Sequence, residues 1–344
     1  MNGKDSAPSS GFAIKKRVPI SASSGNLVNV HAPNAGTTLP ITIQPATRGV
    51  DVAGWAAMSR DQIKGILSRH GAILFRGFEI GSGTEFQRFI RSISGNPLPY
   101  VERSSPRTHI KDNIYTSTEY PSEQSIFLHC ENSYQKTWPL NIFFYCDIQP
   151  EQGGETPIAD MRRLLARIDP EVRAAFANKG VLYRRNFGTG LGLPWQTVFQ
   201  TDDREKVEQY CKEAGIECIW HESGRLTTRY VRKAIHIHPV TGEDVWFNHA
   251  VFFHITTLDP ETQEIIRKDL TDDELPNNTY YGDGTPIEPK VLEHLRNVYA
   301  EETVRFTWQK DDVLMLDNML VAHGRSPYSG ARKILVGMTE PYSG

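Results

Sequence analysis

A mainly β fold with flanking helices (α+β), of the sandwich or jelly-roll kind, is what this sequence predicts, and three observations predict it. Apolar runs of strand length recur along the chain, bounded by turns rich in Gly, Pro and Asn. Segments with helical spacing of apolar residues separate groups of these runs without alternating regularly with them. No G-x-G-x-x-G follows a strand, which argues against a nucleotide-binding parallel sheet.

Residues 1–50, rich at first in Ser, Gly, Ala, Asn and Pro, read as a partly ordered N-terminal arm, and 51–344 as one domain. Residues 56–70 have the apolar spacing of an amphipathic helix, with Ser59 as the expected cap near its start. Residues 71–78 follow as a buried strand ended by glycine, and 84–92 as a second helix. Further strands are expected at 125–131, 141–147, 180–184, 234–238, 245–248, 312–317 and 332–338. Helical patterns fall at about 160–178, 203–214, 260–270 and 287–300. No internal repeat is evident.

With 39% hydrophobic and 23% charged residues, the 344-residue chain has the composition of an ordinary soluble globular protein. A net charge of −3, with Lys and Arg spread along the chain, excludes a nucleic-acid surface or a polybasic membrane anchor. The apolar runs are far too short to span a bilayer, so no membrane role is expected. The first forty residues lack the compact apolar core of a secretory signal, which makes a cytoplasmic protein the expectation. Four scattered cysteines without a C-x-x-C pair read as reduced thiols, Cys130 among them as a small buried residue.

The chemistry is expected at His129-Cys-Glu131 and His323. If 125–131 is one strand, alternation puts His129 and Glu131 on the same face, and a distant histidine completes three ligands. Two imidazoles and a carboxylate on one side of an ion leave the opposite positions open, as in non-haem Fe(II) oxygenases. A lone H-x-E recurs by chance, so the segments after each histidine carry the weight. Gly153-Gly-Glu-Thr156 combines a permissive backbone path with a hydroxyl donor, or is an ordinary hairpin turn. After His323, a Ser/Pro/Gly turn leads into a strand opening with Arg332, whose charged fork suits a carboxylate. Taken alone, Arg332 would more often be a surface or ion-pair residue. His236, His238, His249 and His254 have no accompanying carboxylate motif and read as structural. Arg103, Arg107 and Asn248, in short loops, are candidate substrate contacts or structural residues.

Together these segments resemble the taurine dioxygenase-like (TauD/TfdA) family of Fe(II)- and 2-oxoglutarate-dependent oxygenases, over roughly residues 50–340. His129-Cys-Glu131 matches the family's H-x-D/E element in its glutamate form, and Asp317-Asn318 with His323 matches its D-N…H element. Gly153-Gly-Glu-Thr156 matches the G-G-[DE]-T segment, whose threonine binds the 2-oxoglutarate carboxylate, and Arg332 falls on the co-substrate arginine. Many members carry a second arginine four residues later; here that position is Val336, and Lys333 is the only other nearby cation. Segments 103–108, 115–121, 153–160 and 245–250 are most similar to antibiotic and nonribosomal-peptide pathway members, the SyrP-like and clavaminate synthase-like proteins.

The resemblance implies a double-stranded β-helix (jelly roll) core. It implies Fe(II) on His129, Glu131 and His323, 2-oxoglutarate as co-substrate held by Thr156 and Arg332, and O2 as the oxidant. The expected reaction is hydroxylation of an unactivated C–H bond in an amino acid or derivative, free or tethered to a peptidyl carrier protein. Desaturation and epoxidation need the same ligands and stay open, whereas the carboxylate of Glu131 argues against halogenation. Two rivals are a non-catalytic jelly roll that binds a carboxylate and a zinc hydrolase, the latter lacking an H-E-x-x-H helix.

Overall fold

The structure, a computed structural model, describes residues 27–33, 37–100, 102, 107–118, 120–188, 190–222 and 224–344. Its main sheet has eight strands, in the order Val28–His31, Ile41–Pro45, Ala72–Phe75, Val313–Asp317, Thr137–Ile148, Lys333–Ser343, Ile114–Thr116 and His109–Lys111. Every neighbouring pair is antiparallel except Ile41–Pro45 with Ala72–Phe75. A smaller sheet of Ile126–His129, Val321–Arg325 and Ile158–Asp160 shares the core on one face of this sheet, giving the jelly roll expected. The described part of the expected arm supplies the edge strand of the main sheet, Val28–His31, and its neighbour Ile41–Pro45.

Alternation along the central strands divides the interior into two cores. Phe143, Tyr145, Val313, Met315 and Leu335 pack among the helices Val52–Met58, Arg60–His70 and Gly83–Ser94. Ile142, Phe144, Cys146, Leu314, Leu316, Ile334 and Val336 point the other way, toward the small sheet. Both faces are covered, which is why these strands read as continuous apolar runs rather than as alternating ones. A second sheet, of Val181–Phe187 flanked by Leu226–Arg232 and Asn277–Tyr281 with Glu217–Trp220 outermost, extends the core that contains the small sheet.

Several expected boundaries shift for local reasons. The helix expected over 56–70 is two helices, and Ser59 sits between them, its N–H bonded to the Trp55 and Ala56 carbonyls. Its hydroxyl makes no capping bond, so the expected cap is a junction instead. The helix expected over 160–178 is likewise split into Met161–Arg167 and Pro170–Lys179, because Pro170 cannot continue a helix but starts one well. His323 lies within the strand Val321–Arg325. Among the described residues no helix is long and apolar enough to cross a membrane.

Candidate metal centre

His129 ends the strand Ile126–His129, and the antiparallel ladder sets it directly opposite His323. Their ring centroids are 4.5 Å apart. Glu131 joins them for a reason other than the expected alternation, because the strand stops at His129 and Glu131 lies in the following turn. Asn318 fixes that turn. Its Oδ1 accepts from the Glu131 N–H at 2.7 Å, while its Nδ2 donates to the Glu131 and Pro139 carbonyls, each at 2.8 Å. One ligand atom each from His129, Glu131 and His323 lies within 4.8 Å of the others.

The donor set fits a divalent ion. The His129 Nδ1–H donates to the Phe127 carbonyl at 2.9 Å, which leaves Nε2 as a bare lone pair. Phe252 stacks on the same ring at 4.4 Å and 10°, and Phe144 packs against His323 at 5.0 Å. Burial pushes both imidazoles below the ordinary histidine range, and for His323 the neighbouring His129 and Arg107 add to it. Neutral imidazoles are the ligating form. Arg107 Nη2 donates to Glu131 Oε2 at 2.7 Å, with each side chain 3% exposed. Cys130 takes no part in the cluster; it is buried in the core, and burial pushes its thiol up.

One pocket is lined by His129, His323, Thr156, Arg332, Arg325 and Arg107, among others. Thr156 Oγ1 accepts from the Trp308 indole N–H at 3.1 Å, so its own hydroxyl hydrogen remains free to donate elsewhere. Arg332 Nε donates to the Gly154 carbonyl at 3.0 Å and Nη1 to Ser117 Oγ at 3.4 Å. The two glycines are explained by protein contacts. Both have positive φ, and a Cβ would stand 2.2 Å from the Pro327 carbonyl oxygen at Gly153 and 3.0 Å from Arg332 Cδ at Gly154. Lys333 points out of the pocket to Asp147, 2.9 Å away. Val336 is fully buried in the core facing the small sheet, so no cation could replace it without stranding a charge there.

The other expected site residues divide. Arg107 reaches the centre, whereas Arg103 lies outside the described residues. Asn248 Nδ2 donates to the Ala234 carbonyl and its Oδ1 accepts from the Ala250 N–H, each at 2.9 Å. That side chain holds a turn. His238 is structural too: Nδ1 accepts from the Thr241 N–H, and Nε2 donates to Asp317 Oδ2 at 3.0 Å. Asp317 Oδ1 in turn accepts from the Met319 and Leu320 N–H groups, shaping the turn before the His323 strand. His249 bonds Ser133 Oγ and packs edge-on to His129 at 5.7 Å, closer to the centre than its sequence context suggested.

Sequence reasoning missed Asn318, Trp308, Phe252 and Arg325 as parts of this site. Asn318 alone carried a signal, since it belongs to the Asp-Asn pair already singled out. Arg325 engages the carbonyls of Tyr120, Pro121 and Gln124 through its terminal nitrogens, tethering the loop beside the pocket.

The profile of the taurine catabolism dioxygenase TauD, TfdA family matches residues 37–339. The chain is 40% identical over 283 residues to the dapdiamide synthesis protein DdaC of Enterobacter agglomerans, covering 82% of this chain and 86% of that one. It is 31% identical to a clavaminate synthase-like protein of Arabidopsis thaliana, covering 79% of this chain and 82% of the relative. Among solved structures it is similar in fold to PvcB of Pseudomonas aeruginosa, with a TM-score of 0.56, 14% identity and coverage of 92% and 93%.

Proposed function

Because this chain belongs to the taurine catabolism dioxygenase TauD, TfdA family, we propose that it is an Fe(II)- and 2-oxoglutarate-dependent oxygenase that hydroxylates an unactivated C–H bond. The substrate is an amino acid or amino-acid derivative of secondary metabolism, free or carrier-bound. The observation that carries the reading is the convergence of His129, Glu131 and His323 beside a pocket that also presents Thr156 and Arg332. The 40% identity to a protein named for dapdiamide synthesis supports the biosynthetic setting.

In this reading His129, Glu131 and His323 hold the iron, and Thr156 and Arg332 secure the carboxylates of 2-oxoglutarate. Bound iron and keto acid together supply the oxidation, in which dioxygen is consumed, 2-oxoglutarate becomes succinate and carbon dioxide, and one oxygen atom enters the substrate. The chain's own residues set the geometry. The Phe127 carbonyl fixes the His129 tautomer, Asn318 and Arg107 fix Glu131, and Trp308 leaves the Thr156 hydroxyl free to donate to a carboxylate. Phe144, Phe252 and the buried walls around the histidines exclude water from the reacting face. With iron bound, the Glu131 carboxylate would take the place that a halide needs, so hydroxylation is the reading rather than halogenation.

Anaerobic Fe(II) loading followed by 2-oxoglutarate, oxygen and a panel of amino acids tests this, with succinate release and metal content as readouts. Expected are stoichiometric iron, succinate formation that rises with the right substrate, and loss of both in His129→Ala. Iron binding without decarboxylation under any condition would refute the proposal.

A further inference from the structure

Arg107 is only 8% exposed, yet just one of its nitrogens is engaged. Nη2 holds Glu131; Nε and Nη1 are buried with no hydrogen-bond partner. The Tyr100 ring covers the guanidinium at 4.6 Å. Buried donors without acceptors are destabilising, and a guanidinium at the wall of a pocket is relieved when a ligand oxygen arrives.

The rest of the pocket does not meet that need. Among the described residues its lining includes Arg107, Arg325 and Arg332 and no acidic side chain. Arg325 donates to three backbone carbonyls and Arg332 to Gly154 and Ser117, so Arg107 has the larger share of idle donors. Among the described lining residues three guanidiniums stand beside the single carboxylate of Glu131, which Arg107 already engages, an excess of positive charge at the pocket wall. That excess favours a second anion in the same pocket.

We propose that Arg107 anchors a carboxylate of the substrate beside the metal centre, so that the enzyme takes an acid whose free carboxylate lies close to the carbon it oxidises. The inference rests on the oxygenase reading above. Arg107 then has two tasks: it positions Glu131 and it sorts substrates by charge. Because Val336 closes the route by which a cation could arrive from the strand Lys333–Ser343, the loop before His109–Lys111 brings the guanidinium instead.

The test uses full-length protein carrying Fe(II) and 2-oxoglutarate under anaerobic conditions. The probes are the common L-amino acids and their carboxamides, and binding is read from the change in the visible band of the iron–keto-acid complex. Expected is at least one acid that binds roughly tenfold or more tightly than its carboxamide. In Arg107→Gln the acid-to-amide ratio should fall to within about twofold, a ratio that incomplete iron loading cannot mimic. Arg107→Lys keeps the charge but not the fork, so its acid-to-amide ratio should fall between those of the unaltered protein and the Gln variant, and it decides the matter if the Gln variant does not fold. Equal binding of acid and amide, binding of no acid at all, or an unaltered ratio in both variants overturns the proposal. Failure of the iron–keto-acid band to form in the unaltered protein would instead refute the oxygenase reading.

Discussion

Replacing Asn318 by Ala removes three hydrogen bonds at once from a fully buried position, those to the Glu131 N–H, the Glu131 carbonyl and the Pro139 carbonyl. Each buried backbone group left without a partner costs about 1–3 kcal/mol, and partial relaxation of the turn brings the total to roughly 3–6 kcal/mol. For 344 residues, an unfolding entropy of about 2.1 cal/mol/K per residue gives roughly 0.7 kcal/mol/K. The metal-free protein should therefore melt roughly 4–9 °C lower. The same change frees the turn that carries Glu131, so Fe(II) affinity should fall about 10–100-fold, as for other groups that orient a ligand. Calorimetry of the metal-free variant measures the first effect, and competition with a chelator the second. Asn318→Asp is a sharper companion, since it keeps the acceptor but sets a carboxylate against two carbonyl oxygens. A melting point within 1 °C of the unaltered protein (a margin of about 0.7 kcal/mol) together with unchanged iron affinity would show that the Glu131 turn is held by something other than Asn318.

Arg332→Ala should raise the KM for 2-oxoglutarate about 10–100-fold, whereas Lys333→Ala, whose Nζ faces Asp147 at 43% exposure, should change it less than about twofold. Steady-state kinetics on the pair separates the two candidate cations, and equal effects would refute the assignment. Glu131→Ala should abolish tight iron binding and, by leaving buried Arg107 without its carboxylate, destabilise the metal-free protein by about 3–5 kcal/mol in urea unfolding. A variant that keeps iron would count against the ligand set. Stability should also fall with acidity. Burial lowers His236 and His254 to about 4, below the ordinary 6.5, so the unfolded chain binds protons first. Their contribution is complete above pH 6.5 and is lost progressively as the pH falls toward 4. His236, only 9% exposed and edge-on to Trp138, contributes up to about 3 kcal/mol, and His236→Phe should flatten the pH dependence of unfolding in that window. An unchanged slope would refute this.

Much of the site was legible, and some of it for an incorrect reason. His129 and Glu131 were paired by assuming a strand through residue 131, whereas the strand ends at 129 and Asn318, 187 residues away, puts Glu131 in place. The strand carrying His323 went unread because its Gly and Arg residues break the apolar pattern, although the strand is fully buried. Central strands such as Val313–Asp317 were readable because both faces meet apolar cores, so the pattern is a plain run of large side chains. Edge strands such as Val28–His31 were not, since their side chains are mostly exposed and polar composition there resembles a loop.

The sequence by itself determined the chemistry available: which residues could ligate a metal, which hydroxyl and guanidinium could hold a carboxylate, and that apolar runs of strand length would build a sheet-rich core. Those properties are carried by side-chain type and short spacing, which any reader of the chain possesses. Only the tertiary structure decided which of those groups act together. It brought Arg107 to Glu131, turned Asn248 and Lys333 away, and set Trp308 on Thr156. These are contacts between residues separated by up to 186 positions, fixed by strand register and the burial of two cores, and neither is written in local sequence.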